Sequence, residues 1–316
     1  MTKRISFRHK KIAFILLAIV VAIVVLFAVM HRSQQQMPEM LSEVPSQFAE
    51  LDGTRIHYKM VGEGSRTLLF VHGFGCDMNT WAYQYEAFKD DTTLSMIFVD
   101  LPGYGQSDKP QVDYTLDFFA SALKAVVDKA LEGRNRVVLV GHSLGTPVCR
   151  RFVQNYPGMA AGLCDVDGVY CLYPQDSQAL AAYEEAVQGF ASSFCSEDVK
   201  ENISQFVGSL AGPYTPPDIT EYAMNVMPET PGYVACSTMS NLIDHRYWDG
   251  SVIEVPTFVI CTQNSGLEPD NKEQMAALYA NLYYVELSTC GHFIHWEELD
   301  LFNEKLSWWL ETVVTE

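Results

Sequence analysis

VVLVGHSLGTP, residues 137–147, is the stretch on which the fold turns. It opens on four apolar, mostly β-branched residues, the composition of a buried strand. The chain then turns through Gly141-His142-Ser143-Leu144-Gly145 and runs on as helix-like sequence to about residue 156. A serine between glycines at a strand-to-helix turn has the form of a nucleophile elbow. In so tight a bend, side chains at 141 or 145 would collide with neighbouring backbone. The bend also sets Ser143 at a helix N-terminus, where unpaired N–H groups and the positive dipole end favour a developing oxyanion. Pro147 falls one turn in, near the limit at which a missing N–H is harmless.

Outward from the elbow, strand patterns occur at 55–61, 67–71, 94–100, 136–140, 162–169, 257–261 and 282–287. Helical patterns at 81–89, 116–131 and 144–156 separate them. The alternation predicts an α/β fold, a mostly parallel sheet with helices on both faces. Segment 171–250 breaks it. There Leu180, Tyr183, Val187, Phe190 and Phe194, and then Ile203, Phe206, Val207 and Leu210, follow helical spacing. We read 171–250 as a helical cap inserted between two parts of the core, 47–170 and 251–316. The alternative is a packed helical subdomain with no role at the site.

The glycine turn His72-Gly73-Phe74-Gly75 ends a strand. Such a turn can aim backbone N–H groups at the space above Ser143, so the N–H groups of Phe74 and Leu144 are the expected oxyanion donors. The expected base is His292, in LSTCGH after the last strand. A neutral imidazole there can take the serine proton and return it to the leaving group. His295 is the competitor and is read as supporting. His72 and His142 are read as structural.

Four stretches in this order, VHGFG (71–75), DLPGYGQSD (100–108), GHSLG (141–145) and GHFIHWEE (291–298), resemble the α/β-hydrolase superfamily from about residue 48 onward. Ser143 separates the chain from the haloalkane dehalogenase and epoxide hydrolase branches, which have a similar layout but use an aspartate nucleophile. The resemblance implies a triad acid after strand 257–261. That slot holds Asn264 or Ser265, and neither carries a charge. Replacing a triad Asp by its amide lowers turnover about 10⁴-fold in a well-studied case, so simple loss of the acid fits poorly with an intact elbow. Some members of the superfamily take the acid from the end of the strand after the elbow helix. Here that residue is Asp167, at the sheet edge where catalytic groups gather. Asp167 is our assignment; Asp270, Glu268 or no acid at all are the alternatives.

The first 32 residues hold Lys3, Arg4, Arg8, Lys10, Lys11 and Arg32 and no acidic residue. Of 21 Lys and Arg this leaves 15 beyond them, against all 39 Asp and Glu. So acidic a body repels phosphates and argues against a nucleic-acid partner. Residues 12–30 are apolar throughout and would span roughly 28 Å as a helix, near the ~30 Å bilayer core. Basic residues in 1–11 place that end in the cytoplasm and the body outside it, as a single-pass cell-membrane protein. A cleaved signal peptide is the rival, but the run is long and its exit, AVMHRS, lacks a small-x-small site. Residues 31–46 read as a polar linker. The eight cysteines show no CxxC spacing; no metal or organic cofactor is implied, and no disulfide pairing follows from the sequence.

These readings converge on a membrane-anchored serine hydrolase, carboxylesterase-like, acting on small to medium hydrophobic acyl esters through Ser143, His292 and Asp167. Two alternatives stand beside it: a non-catalytic binding protein on the same scaffold, or an acyltransferase or cofactor-free peroxidase.

Overall fold

Eight strands form one sheet in the order β1-β2-β4-β3-β5-β6-β7-β8. They are β1 (Gln47–Leu51), β2 (Thr54–Val61), β3 (Arg66–Val71), β4 (Leu94–Val99), β5 (Val137–His142), β6 (Ala160–Val166), β7 (Thr257–Thr262) and β8 (Leu282–Leu287). The computed structural model describes residues 41–133, 136–211, 215–263 and 271–314. Two expectations therefore lie outside the described residues: the anchor at 12–30, and the loop 264–270 with Asn264, Ser265, Glu268 and Asp270. No helix among the described residues is long and apolar enough to cross a membrane.

Strands β1 and β2 pair antiparallel, as do β2 and β4, and all other neighbours are parallel. The central strands β4, β5 and β7 are buried at every position, as helices on both faces require. Period-2 alternation sorts their side chains. Leu68, Phe70, Val138, Val140, Cys164, Val166, Phe258 and Ile260 share one core cluster with Trp81 and with Phe302, Leu306, Trp309 and Leu310. The last four come from the C-terminal helix, Leu299–Thr312. Helices α2 (Leu116–Leu131) and α3 (Gly145–Asn155) pack on each other, α2 against β1 and α3 against β5, and α1 is Ala82–Phe88. Thr115 caps α2 through a side-chain bond to the Phe118 N–H, a contact worth about 1 kcal/mol.

The sheet begins one strand earlier than the apolar pattern indicates. Strand β1 buries only Ala49, so it carries little hydrophobic signal. Its cue is the turn: Asp52 and Gly53 both have positive φ, 48° and 82°, as a two-residue hairpin of the primed type needs. The linker expected over 31–46 also needs correction. Leu41 and Val44 are buried in the core cluster, and the Lys59 ammonium donates to the Leu41 carbonyl. Packing therefore begins by residue 41, because two isolated apolar residues in a polar stretch suffice to dock it. Strand β6 ends at Val166, three residues before the expected end at 169. Asp167 breaks it by turning to φ 45°.

Between β6 and β7, four α-helices lie among the described residues: α4 (Ser177–Ser193), α5 (Val199–Leu210), α6 (Pro217–Val226) and α7 (Gly232–Leu242). A disulfide joins Cys195 to Cys236, tying the end of α4 to α7.

Candidate active site

Ser143 follows β5 directly, with φ 53°. A non-glycine residue seldom adopts this left-handed backbone, which costs of order 1–3 kcal/mol where the fold enforces it. Enforcement is visible in the flanking glycines. A Cβ on Gly141 would lie 2.6 Å from the Gly145 carbonyl oxygen, and one on Gly145 would lie 2.3 Å from that of Val71. The Ser143 N–H donates to the Val166 carbonyl at 3.1 Å, and the Ser143 carbonyl accepts from the Thr146 N–H at 3.0 Å. The elbow is thereby bound to the end of β6 on one side and to α3 on the other.

The 72–75 turn lies against the serine, since a Cβ on Gly73 would come within 3.0 Å of the Ser143 Cβ. This brings the main chain of Phe74 beside Ser143, while Leu144 stands at the N-terminus of α3. His72 is bonded at both ring nitrogens: Nδ1 donates to the Gly73 carbonyl at 2.8 Å, and Nε2 accepts from the Leu101 N–H at 3.0 Å. It holds the turn and has no hydrogen-bonding position left for a reacting group.

His292 and Asp167 meet. The Nδ1 of His292 lies 2.6 Å from the Asp167 Oδ2, and the Asp167 side chain is fully buried. The other oxygen, Oδ1, accepts from the Thr262 N–H at 3.0 Å. A carboxylate at Nδ1 fixes the tautomer in which Nε2 is bare and can accept a proton. Asp165, two residues back, is otherwise engaged. It accepts from the Thr146 hydroxyl at 3.0 Å, the Gly168 N–H at 2.9 Å and the Tyr170 hydroxyl. Burial pushes its carboxyl up to about 7.

The loop carrying His292 is held from four directions. The His292 N–H donates to the Leu210 carbonyl at 3.3 Å, at the end of α5. Its carbonyl accepts from the His142 Nε2 at 3.0 Å. On either side, the Gly291 and Phe293 N–H groups donate to the two oxygens of Glu297, at 2.7 and 3.1 Å. Glu297 also accepts from the Thr215 hydroxyl at 2.9 Å, which links the loop to the segment before α6. Nothing in the stretch GHFIHWEE marks Glu297 for this role. In the sequence Glu297 is not set apart, since Glu298 and Asp300 follow it closely.

His142 and His295 lie near His292, their tilted rings with centroids 4.6 Å apart, and the His142 ring lies 4.6 Å from that of His292. Burial, then the neighbouring histidines, hold the His142 imidazole well below its usual range. Burial, then His292, lowers His295 to about 3. Both are neutral at pH 7, so neither places a second positive charge beside His292. Among the described residues no three His, Cys, Asp or Glu side chains gather as a metal ion would require.

Ser143, Leu144, Asp167, His292 and Phe74 line one cavity of about 270 Å³. The helices after β6 add Phe190, Phe206, Leu210, Met239 and Leu242, an apolar wall above polar groups. This is the usual make-up of a small-molecule site.

The family model for the alpha/beta hydrolase fold matches residues 66–299. The chain belongs to that family. It is 35% identical over 111 residues to the dihydrolipoyllysine-residue acetyltransferase component of the acetoin cleaving system of Cupriavidus necator, covering 35% of this chain and 29% of that protein. It is 26% identical over 273 residues to a 2-hydroxy-6-oxononadienedioate/2-hydroxy-6-oxononatrienedioate hydrolase of Paraburkholderia phymatum, covering 80% and 89%. The chain spans from 29% to 41% of the first curated relatives it matches. Among solved structures, an esterase from Exiguobacterium antarcticum superposes with a TM-score of 0.73 at 19% identity, covering 85% of this chain and all of that one.

Proposed function

We propose that this protein is a serine ester hydrolase, carboxylesterase-like, working through Ser143, His292 and Asp167. The observation that carries the reading is the 2.6 Å contact between His292 and Asp167 on the wall of the cavity that holds Ser143. Bare Nε2 takes the Ser143 proton as Oγ attacks the ester carbonyl. The N–H groups of Phe74 and Leu144 hold the oxyanion, and Asp167 stabilises the imidazolium. The imidazolium then protonates the departing alcohol, leaving an acyl-enzyme. Water, deprotonated by the same imidazole, releases the acid. A cavity of about 270 Å³ with aromatic and aliphatic walls favours a small to medium hydrophobic acyl group.

The same reading places the catalytic body outside the cytoplasm, anchored by 12–30. The Cys195–Cys236 disulfide supports it, because such bonds persist in oxidising compartments.

A fluorophosphonate probe tests the chemistry. Wild type should label and Ser143→Ala should not. Folded wild type that resists the probe would favour the non-catalytic alternative. A graded series of p-nitrophenyl esters then ranks acyl length, and added alcohol or peroxide exposes transfer or peroxidation.

A further inference from the structure

A second cavity, about 650 Å³, adjoins the catalytic one and shares Tyr170 as a wall. Its floor holds Arg150, on α3 two turns beyond Ser143. Arg150 is only 3% exposed. One of its nitrogens, Nη2, donates to the Ser251 carbonyl at 2.5 Å. Its Nε and Nη1 are buried without a well-formed hydrogen bond, and the neutral Tyr279 hydroxyl is the group that interacts with the guanidinium there. Among the described residues it is in no close ion pair, and Asp249 is a carboxylate that feels its charge from farther off. The guanidinium sits 5.5 Å from the centroid of the Tyr279 ring, close enough to that hydroxyl to oppose the effect of burial on it. A guanidinium is always charged, and a buried charge without a counter-ion costs several kcal/mol unless something pairs with it.

The walls say what that something is. Tyr170, Tyr173, Tyr183 and Trp248 face the cavity, and Arg150 is the one cation among its described lining residues. Asp249 lines it too, as an exposed residue. Its carboxyl is held below the usual range by hydrogen bonds from Ser251, with Arg150 a smaller influence. A single buried cation with an acidic neighbour disfavours multiply charged anions. Aromatic walls favour a flat apolar body.

We propose that this cavity is a monocarboxylate-binding subsite, with Arg150 pairing with the carboxylate and the aromatic walls holding an aryl or short acyl body. It is separate from the catalytic cavity, which Arg150 does not line. Through Tyr170 and its bond to Asp165, an occupant would adjoin the strand end that carries Asp167.

Calorimetric titration of the full chain with benzoate, benzamide and inorganic phosphate tests the subsite. Benzoate should bind saturably and about 10- to 100-fold more tightly than benzamide, the worth of one charge-assisted contact. Phosphate should bind more weakly than benzoate. Arg150→Gln should abolish the preference for benzoate, and Arg150→Lys should retain part of it. Absence of saturable binding in wild type, or unchanged benzoate affinity in folded Arg150→Gln, overturns the proposal; tighter binding of phosphate overturns the carboxylate class. If Arg150→Gln does not fold, Trp248→Ala decides. A several-fold loss of benzoate affinity there supports the subsite, and no change overturns it. None of these readouts depends on Ser143 chemistry, so labelling by fluorophosphonate stands or falls separately.

Discussion

The sheet and the α-helices between β6 and β7 are buried to different depths. Strand β5 buries all six of its residues, whereas α4, with 17, buries only Ala191. The sheet is a continuous apolar core. The helices meet the rest of the chain through separate aromatic contacts, Phe194 and Phe206 on Phe74 and Tyr222 on Trp296, and through particular polar ones: Tyr222 to Asp77, Tyr104 to Thr238, Thr215 to Glu297, and the Leu210 carbonyl to the His292 N–H. The difference has a consequence for the proposed catalysis. The core sets the positions of Ser143 and Asp167, while the inserted helices reach the main chain of His292, the proposed base. The two regions should therefore fail in different ways when altered.

The largest effect should come from the core. Phe70 is fully buried and stacked on Phe98 at 4.9 Å, so Phe70→Ala should cost about 3–5 kcal/mol in urea unfolding. Next comes the junction. Glu297→Gln keeps the shape but sets an amide N–H against a main-chain N–H of the His292 loop. We expect kcat on p-nitrophenyl esters to fall roughly tenfold with KM little changed, consistent with a loss of about 1–3 kcal/mol at a charged hydrogen bond. A purely structural role would lower the melting temperature and leave kcat per folded molecule intact.

A smaller effect concerns pH. The folded value of His295, about 3, lies below the unfolded value near 6.5. As pH falls between these two, the unfolded chain takes up a proton that the native chain does not. The stability contributed by a neutral His295 is complete above about 6.5 and is lost toward 3, by at most about 1.4 kcal/mol per pH unit. His142 acts in the same sense. Asp165, raised to about 7, acts oppositely, losing stability as pH rises from about 4 to 7. His295→Asn should flatten the acid limb of urea midpoints measured from pH 7 to 4.5; an unchanged limb would assign acid sensitivity elsewhere. The smallest effect should come from Phe190→Ala. Phe190 lines the cavity of Ser143 yet is 46% exposed, so KM should shift a few-fold while stability stays within about 0.5 kcal/mol.

The same contrast explains what was legible in the sequence. The elbow could be read because its signal is local: a strand, two glycines and a helix within eleven residues. Asp167 could be named because strand ends map to one edge of a parallel sheet. Strand β1 escaped because a half-exposed edge strand lacks an apolar run, although Asp52-Gly53 marked its hairpin. Glu297, the Leu210 bond and the Cys195–Cys236 pair escaped for another reason. Each depends on which surfaces meet in space, and main-chain partners leave no trace in side-chain pattern.

The central claim is that Asp167 orients His292, and comparing kcat on a p-nitrophenyl ester for Asp167→Asn, Asp270→Asn and Glu268→Gln tests it most directly. The account predicts a fall of about 10⁴-fold for Asp167→Asn with folding intact, and little change for the other two. Near-normal turnover in folded Asp167→Asn, with collapse in either of the others, would contradict it.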